Sequence, residues 1–503
     1  MPTLFFLTAP PPGRGNANPE HTPQKMARWL HDSPAAIPDL FAHELLQHLV
    51  AINRAPPEGK ILLEIAEALR PGVLRSVEYL TANIEAKTFP LPAEDRAHGD
   101  LLQGMTREFG RMYGALMQDY DSGKMGDKSL ALLSQRLLRC LDQVLLGYYL
   151  LHLKIPAWLW RDVHSVYKQT LAKRKHEERV RDDAAVAGFA TPEEVYKEIL
   201  LLGMSDPYCL HGKEILALRR TSAQWTANVA LQSTDEPGWR LAFHEDKPPW
   251  WEPKPTGGDN DKTLGLDVRP ILKILENPDQ RWTHRAGRFE PNPVADSDSG
   301  GLSAGLLNYL LWRWSHAPVP PAPPQGALHF IPGFNNVHHL FGEPAPLNIA
   351  AVPHWTATPL TDGMLAYDRD TPGGVQIGLL LGFVAESDVE VRGIGVVSRV
   401  SMDQTDGLVK FQIRPLTIRA VTAGLQPAKL TMTNQGSYQR ALLYLEEVPG
   451  DEPRSFILLQ SMRQQEINRV RLLTDNGMTF VRLLNRRNIA FGIVGFDCLH
   501  AID

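Results

Sequence analysis

Apolar residues recur at helical spacing through the first half of the chain. The stripe that begins at Ile37 runs to Leu49, and similar stripes cover residues 61–69, 102–116 and 130–148. Apolar positions three and four residues apart form one face of an amphipathic helix. Because the connections between the stripes are short, the pattern predicts a helical stack, built as an irregular α-solenoid or a bundle.

Segments without an apolar period separate the predicted units. Residues 172–185 are mostly charged with both signs mixed, which is typical of a solvated helical face or a tether. The Pro-rich stretches 245–262 and 315–326 favour extended linkers. The predicted domains are a disordered leader over 1–36, a helical domain over 37–222, a mixed middle region over 223–325 that holds both linkers, and a β-rich domain over 327–503.

Beyond the second linker the apolar period becomes two. Val409, Phe411 and Ile413 alternate with polar residues, and Asn476-Gly477 is one of several turn signals between short runs. Alternation of this kind is typical of strands with one wet face, and frequent tight turns favour antiparallel pairing. The fold class predicted is therefore α+β multidomain, with an N-terminal helical stack and a C-terminal antiparallel β-barrel-like domain.

Charge and cysteine content limit the partners. The 503 residues carry a net charge of −5, so no global basic field attracts nucleic acid or an anionic membrane, and any such binding has to be local. The three cysteines are far apart in the sequence, which favours a reducing compartment. No apolar run approaches the length of a membrane span. We therefore expect a cytoplasmic protein with no DNA partner and no membrane insertion.

The catalytic motifs that the sequence offers are weak. Gly301-Leu-Ser303-Ala-Gly305 matches a nucleophile elbow, but a polar run precedes it where an apolar strand is needed. His43 and His48 are five residues apart, whereas a zinc-protease helix needs four. No phosphate-binding loop and no dinucleotide fingerprint occur. The sequence predicts no enzyme, no metal and no cofactor, with a serine hydrolase as a distant alternative.

Arginines supply the one chemistry suited to phosphate, because guanidinium groups fork onto phosphate oxygens. Residues 463–487 form a basic stripe in an acidic protein, and a hairpin through Asn476-Gly477 can bring its arginines onto one side. A solvated outer strand face is the alternative interpretation. The candidate ligand-binding residues are Arg482, Arg486, Arg487, Arg469 and Arg471, with Arg281, Arg285 and Arg288 as the alternative set.

The C-terminal part resembles the PilZ-like β-barrels of large bacterial cytosolic proteins. The likeness spans residues 371–503 and rests on Gly374-Val-Gln-Ile-Gly378, Arg392-Gly-Ile-Gly-Val-Val-Ser-Arg399 and Lys410-Phe-Gln-Ile-Arg-Pro415. The resemblance implies cyclic di-GMP binding through an R-x-x-x-R entry segment and a D/N-x-S-x-x-G strand motif. Arg482 and Arg486 match only the first element, and Arg281 and Arg285 precede an acidic Ser-Gly run that is one residue out of register.

The leading functional prediction is a non-enzymatic regulatory or adaptor protein that responds to cyclic di-GMP through the barrel. It contacts proteins through the helical domain. A helical scaffold or chaperone-like adaptor that binds proteins alone is the second hypothesis.

Overall fold

A computed structural model gives the fold of the chain. It describes residues 21–33, 37–84, 88–185, 187–233, 236–253, 263–276, 302, 304–315, 326–342, 354–360, 363–368, 374–403, 408–428, 438–446, 452–460, 469–490 and 492–500. Arg281, Arg285, Arg288 and Ser303 lie outside these residues, as does most of the two Pro-rich stretches.

The first half of the chain is helical, as the apolar stripes predict. The helices are α1 Pro23–Asp32, α2 Pro38–Arg54, α3 Gly59–Ile84, α4 Ala93–Asp121, α5 Leu130–Leu150, α6 Leu159–Ala172, α7 Pro192–Met204 and α8 Gly212–Trp225. Sequence signals set their ends: at α7 the Thr191 side chain accepts the Glu194 N–H, and the Glu194 carboxylate accepts the Thr191 N–H. A short hairpin, β1 Val180–Arg181 and β2 Phe189–Ala190, separates α6 from α7.

Helix α1 corrects the predicted leader. Thr22 caps it by accepting the Lys25 N–H, Met26 is buried, and the Trp29 ring stacks on Phe41 of α2 at 5.8 Å. The Pro- and Gly-rich composition of residues 1–36 hides this short stripe, which orders by packing on the next helix rather than by its own length.

The middle region holds a small antiparallel sheet, and one of its strands lies within the segment 245–262 that the sequence predicts to be a linker. Its strands are β3 Ala230–Gln232, β4 Gly238–Ala242, β5 Trp250–Glu252 and β6 Thr263–Asp267, in the order β3-β6-β4-β5. Helices α9 Arg269–Glu276 and α10 Ala304–Ser315 follow. The apolar residues between Leu264 and Leu275 are divided between a strand and a helix, and the period alone cannot separate such short runs.

The second half contains two closed antiparallel barrels. Barrel 1 has strands β7 Leu328–Pro332, β8 Trp355–Pro359, β9 Leu365–Asp368, β10 Leu380–Ala385, β11 Asp388–Met402 and β12 Leu408–Thr417, with α11 Phe334–Gly342 after its first strand. Barrel 2 has β13 Val421–Pro427, β14 Gln439–Glu446, β15 Arg454–Gln460, β16 Arg469–Thr474, β17 Gly477–Ala490 and β18 Ile493–His500. The α+β fold prediction is confirmed, and its single barrel-like domain resolves into two barrels.

The cores of the two barrels are organised differently. Buried residues of barrel 1, such as Phe330 and Phe411, belong to one continuous apolar cluster with the helices and the small sheet. Barrel 2 encloses its own cluster, which includes Ile457, Leu472 and Val481. A third cluster joins the barrels and includes Val396 of barrel 1 with Tyr444 and Phe456 of barrel 2. Among the described residues, no helix is both long and apolar enough to cross a membrane.

Candidate functional site

The site is built on the β16–β17 hairpin of barrel 2. The strands pair antiparallel around the predicted Asn476-Gly477 turn, with Arg469 opposite Arg482 and Arg471 opposite Phe480. Gly477 takes a φ of 116° there, in the region that favours glycine. Buried Val470, Leu472 and Val481 alternate with these residues and point into the barrel. The arginines and Phe480 therefore share the outer side.

Two guanidinium groups converge on the Phe480 ring. The Cζ atoms of Arg469 and Arg471 lie 5.7 and 5.6 Å from its centroid, within the range of cation–π attraction. The Nε–H of Arg471 is buried and has no hydrogen-bond acceptor among the described residues. A buried donor without an acceptor is costly, so this N–H is an unsatisfied donor within the described structure.

Apolar side chains surround these cations. Leu473 lies opposite Met478 at the turn end of the hairpin, and Leu499 of β18 lies opposite Arg482. All three apolar side chains are exposed. We call the set the basic–apolar face, and its members are Arg469, Arg471, Leu473, Met478, Phe480, Arg482 and Leu499.

The other two predicted arginines do not join this face. The pairing of β17 with β18 shifts register between Leu484 and Arg487, and Asn485 takes a φ of 50° at the shift. Arg486 is exposed and lies within this bulge, which interrupts the alternation of side chains between it and Arg482. The Arg482–Arg486 pair therefore does not form a continuous row on one strand face.

Arg487 is held by carboxylates at the barrel–barrel contact. Its guanidinium donates to Glu446 at 3.0 and 2.5 Å and to Asp497 at 2.9 Å, and it lies 4.1 Å from the Phe456 ring centroid. Burial alone would lower the pKa of Arg487, but the hydrogen bonds and charge of Glu446 raise it. These contacts tie strands of barrel 2 together, which assigns Arg487 a structural role within the barrel.

A second cluster of arginines, which the sequence pattern does not indicate, lies among the helices. Asp182, in the charged segment predicted to be solvated, is fully buried and accepts hydrogen bonds from Arg70 at 3.0 Å and from Arg139 and Gln135 at 2.8 Å. Burial alone would raise the pKa of Asp182, but the charge of Arg139 lowers it. The mixed charge of residues 172–185 does not indicate that Asp182 is buried, because the partners of Asp182 come from α3 and α5.

A cavity of about 30 Å³ adjoins this ion-pair network, with Tyr113, Cys140 and Phe109 in its wall. That volume suits a water molecule or two. The arginines there are matched by Glu67, Asp182 and Glu198, so the cluster fixes the β1–β2 hairpin to the helices.

The described residues also bring together one set of metal-type ligands. Donor atoms of His176, Glu177 and Glu193 lie within 4.8 Å of one another. The Lys197 ammonium already pairs with Glu193 at 2.7 Å, and the Tyr167 hydroxyl donates to Glu193 at 3.2 Å. These contacts account for the carboxylate as part of an ordinary ion pair.

Comparisons with known proteins point to cyclic di-GMP receptors. A family model described as the N-terminal domain of the cyclic-di-GMP receptor FimW matches residues 24–237. The FimW cyclic-di-GMP receptor of Pseudomonas aeruginosa strain PAO1 is 23% identical over 353 residues, which cover 68% of this chain and 57% of that protein. The aligned region thus spans a little over half the length of the relative.

No solved structure matches the chain significantly. The family match lies on the helical domain and the start of the small sheet, whereas the basic–apolar face lies on barrel 2. The geometry of the arginines is therefore an observation independent of the family match.

Proposed function

We propose that this protein is a non-enzymatic receptor for cyclic di-GMP and that the basic–apolar face holds the nucleotide. The observation that carries the proposal is the convergence of Arg469 and Arg471 on Phe480, with Arg482 directly across the hairpin from Arg469. The similarity to a cyclic-di-GMP receptor supports the ligand class.

The chemistry of the face suits a cyclic dinucleotide. Such a ligand carries two phosphates and two purine bases, and guanidinium groups bind phosphate through paired N–H donors. A base can stack on a guanidinium plane or on the Phe480 ring, and arginine can also bridge the O6 and N7 atoms of guanine.

Barrel 2 is the part of the chain that we propose to be PilZ-like. Its six antiparallel strands close into a barrel, and the basic–apolar face lies on three of them. The face departs from the pattern of that family, which places its arginines in an entry segment. Here Arg469 and Arg471 are two residues apart on β16, and Arg482 lies across the hairpin on β17. In this proposal the outer strand face replaces the missing motif.

We propose further that the helical domain passes the signal to protein partners as an adaptor. Its core is continuous with that of barrel 1, and barrel 1 packs on barrel 2. An effect at barrel 2 thus has a packed route to the helices. A protein-only adaptor is the second candidate, supported by the size of the helical domain.

Isothermal titration calorimetry of the full chain with cyclic di-GMP tests the proposal. The triple change R469Q/R471Q/R482Q should weaken binding by at least about a hundredfold, because each charge-assisted hydrogen bond contributes roughly 1.5–3 kcal/mol. Binding by the unchanged protein should also weaken as salt is raised. R454Q, on β15 of the same barrel, is the matched control and should bind normally.

Two further variants locate the site if the triple change has no effect. R486Q tests the R-x-x-x-R pattern, and R281Q/R285Q tests the alternative set. Saturable binding that depends on either of these and not on the triple change would place the nucleotide elsewhere. Absence of binding by the unchanged protein would leave the protein-only adaptor.

A further inference from the structure

We infer that the basic–apolar face also docks on the surface of an anionic lipid bilayer, without inserting a spanning segment. The inference stands on the exposed apolar side chains, which a small polar nucleotide does not need. It rests on the proposed function only where it concerns competition between nucleotide and lipid.

Three large apolar side chains of the face are exposed to solvent. Met478 is 53% exposed, Leu499 54% and Leu473 37%, and all three lie on the outer side of their strands. An antiparallel barrel normally has a polar outer face where solvent reaches it. Here the outer side of β16, β17 and β18 carries these side chains and Phe480 among its arginines.

The cations are interleaved with the apolar groups. Viewed along the hairpin, the cross-strand rows are Leu473 with Met478, Arg471 with Phe480, and Arg469 with Arg482, with Leu499 beside the last row. Successive rows are about 7 Å apart, because two residues of a strand advance the chain by that distance. Side chains on one strand face stand roughly perpendicular to the sheet. A flat surface can therefore meet all three rows at once.

An anionic bilayer fits this arrangement better than a folded protein partner does. Lipid phosphates lie directly above apolar chains and can rearrange around each guanidinium, so interleaved basic and apolar side chains need no fixed complementary shape. Attraction to an anionic surface raises the affinity about tenfold for every one to two arginines near that surface. For three arginines the gain is about a hundredfold. The net charge of −5 does not oppose this, since the charge of the face is local.

Two acidic groups of the described residues lie near the face along the chain. Asp497 of β18 is mostly buried and already binds Arg487 and Asn485. Asp475 lies in the turn beyond the Leu473–Met478 row. Neither is a member of the rows, which hold the arginines Arg469, Arg471 and Arg482.

Co-sedimentation of the full chain with vesicles tests the inference. Vesicles of phosphatidylcholine containing phosphatidylglycerol should bind the protein, and vesicles of phosphatidylcholine alone should leave it in solution. R469Q/R471Q/R482Q should reduce binding about a hundredfold, and M478S/L499S about tenfold. R454Q and L445S are matched controls in the same barrel, since Leu445 is exposed but lies outside the face, and both should bind as the unchanged protein does.

The outcomes separate lipid docking from nucleotide binding. Cyclic di-GMP should release the protein from anionic vesicles, because both ligands use the same arginines. Vesicle binding without any nucleotide binding would leave the docking inference standing and overturn the proposed function. Nucleotide binding with no affinity for anionic vesicles would overturn the docking inference alone. Vesicle binding that M478S/L499S does not weaken would overturn it too, since the attraction would then be to charge without the apolar groups.

Discussion

Barrel 1 and barrel 2 have the same number of strands and the same antiparallel pairing, but they face different surroundings. Barrel 1 is joined to the helical domain by main-chain hydrogen bonds. Phe89 and Val375 exchange two bonds of 2.7 Å, and Met402 exchanges bonds with His152 and Lys154 at 2.7 and 2.9 Å. Ion pairing of Arg399 with Asp206 adds a side-chain contact to this junction.

Among the described residues, barrel 2 makes fewer main-chain hydrogen bonds to the helical domain than barrel 1 does, and it exposes more large apolar side chains. Among the described residues, the large apolar side chains that are exposed on barrel 1 comprise Val391, whereas those on barrel 2 comprise Val421, Tyr438, Leu445, Leu473, Met478, Leu484 and Leu499. Exposed apolar groups next to arginines cost solubility and contribute nothing to a core. Barrel 1 is therefore an extension of the helical core, whereas barrel 2 carries the face on which we propose binding.

The largest expected effect comes from core substitutions that contrast the two barrels. Phe411→Ala should cost about 3–5 kcal/mol, because it empties a large buried site, and it should destabilise the helical domain together with barrel 1. Ile457→Ala in barrel 2 should cost about 2–5 kcal/mol and leave the helices protected. Native-state hydrogen exchange measures both effects. Equal loss of protection in the helices for both variants would contradict the distinction between the cores.

Much of this arrangement follows from the sequence, because period and turn chemistry are local. The stripes that begin at Ile37 predict the helices, and the alternation around Phe411 and the Asn476-Gly477 turn predict strands and a hairpin. That hairpin brings Arg469 and Arg471 to the side of Arg482, as expected. Whether these arginines bind a nucleotide stays a prediction.

What the sequence could not predict depends on contacts between distant residues. The division of the β-rich part into two barrels is set by which strands close on each other, and a period of two does not specify this. Burial of Asp182 requires Arg70 and Arg139, which are 112 and 43 positions away. The bulge at Asn485, which takes Arg486 off the face, has no clear local signal either.

Acid should loosen the junction of barrel 1 with the helices. Burial lowers the pKa of His152 and of His211 to about 4. Between pH 6.5 and about 4 the unfolded chain therefore binds more protons than the folded chain, and stability falls as the pH falls. At pH 5 each residue should contribute a loss of about 2 kcal/mol relative to pH 7.

Urea unfolding at pH 7 and pH 5 measures this loss. The variant His152→Gln should lower stability at pH 7 and make it less dependent on pH, because it removes one of the buried histidines whose pKa is lowered. Hydrogen exchange should place the acid-induced opening at the junction, where the His152 ring bonds the Val400 carbonyl. A pH dependence that the variant leaves unchanged would show that other groups carry it.

The junction should also depend on its half-buried ion pair. Arg399 pairs with Asp206 and lies 5.2 Å from the Tyr208 ring centroid. Arg399→Gln should cost about 2 kcal/mol, because it leaves the carboxylate without its charged partner. The matched control is Lys154→Gln, whose exposed pair with Asp403 is 3.4 Å long and should cost less than about 0.5 kcal/mol. Similar urea midpoints for the two variants would argue against a specific role of Arg399.

The smallest expected effect on stability comes from a substitution in the basic–apolar face. The sign of the change in the free energy of unfolding is what distinguishes the possible roles of the residue. Arg469 and Arg482 carry like charges directly opposite each other on paired strands, which destabilises a sheet. Arg482→Gln should therefore leave the urea midpoint unchanged or raise the free energy of unfolding by up to about 0.5 kcal/mol. The same change should weaken binding of cyclic di-GMP and of anionic vesicles. A gain in stability with a loss of binding is expected of a residue retained for recognition, whereas a loss of more than about 1 kcal/mol on unfolding would show that Arg482 supports the barrel itself.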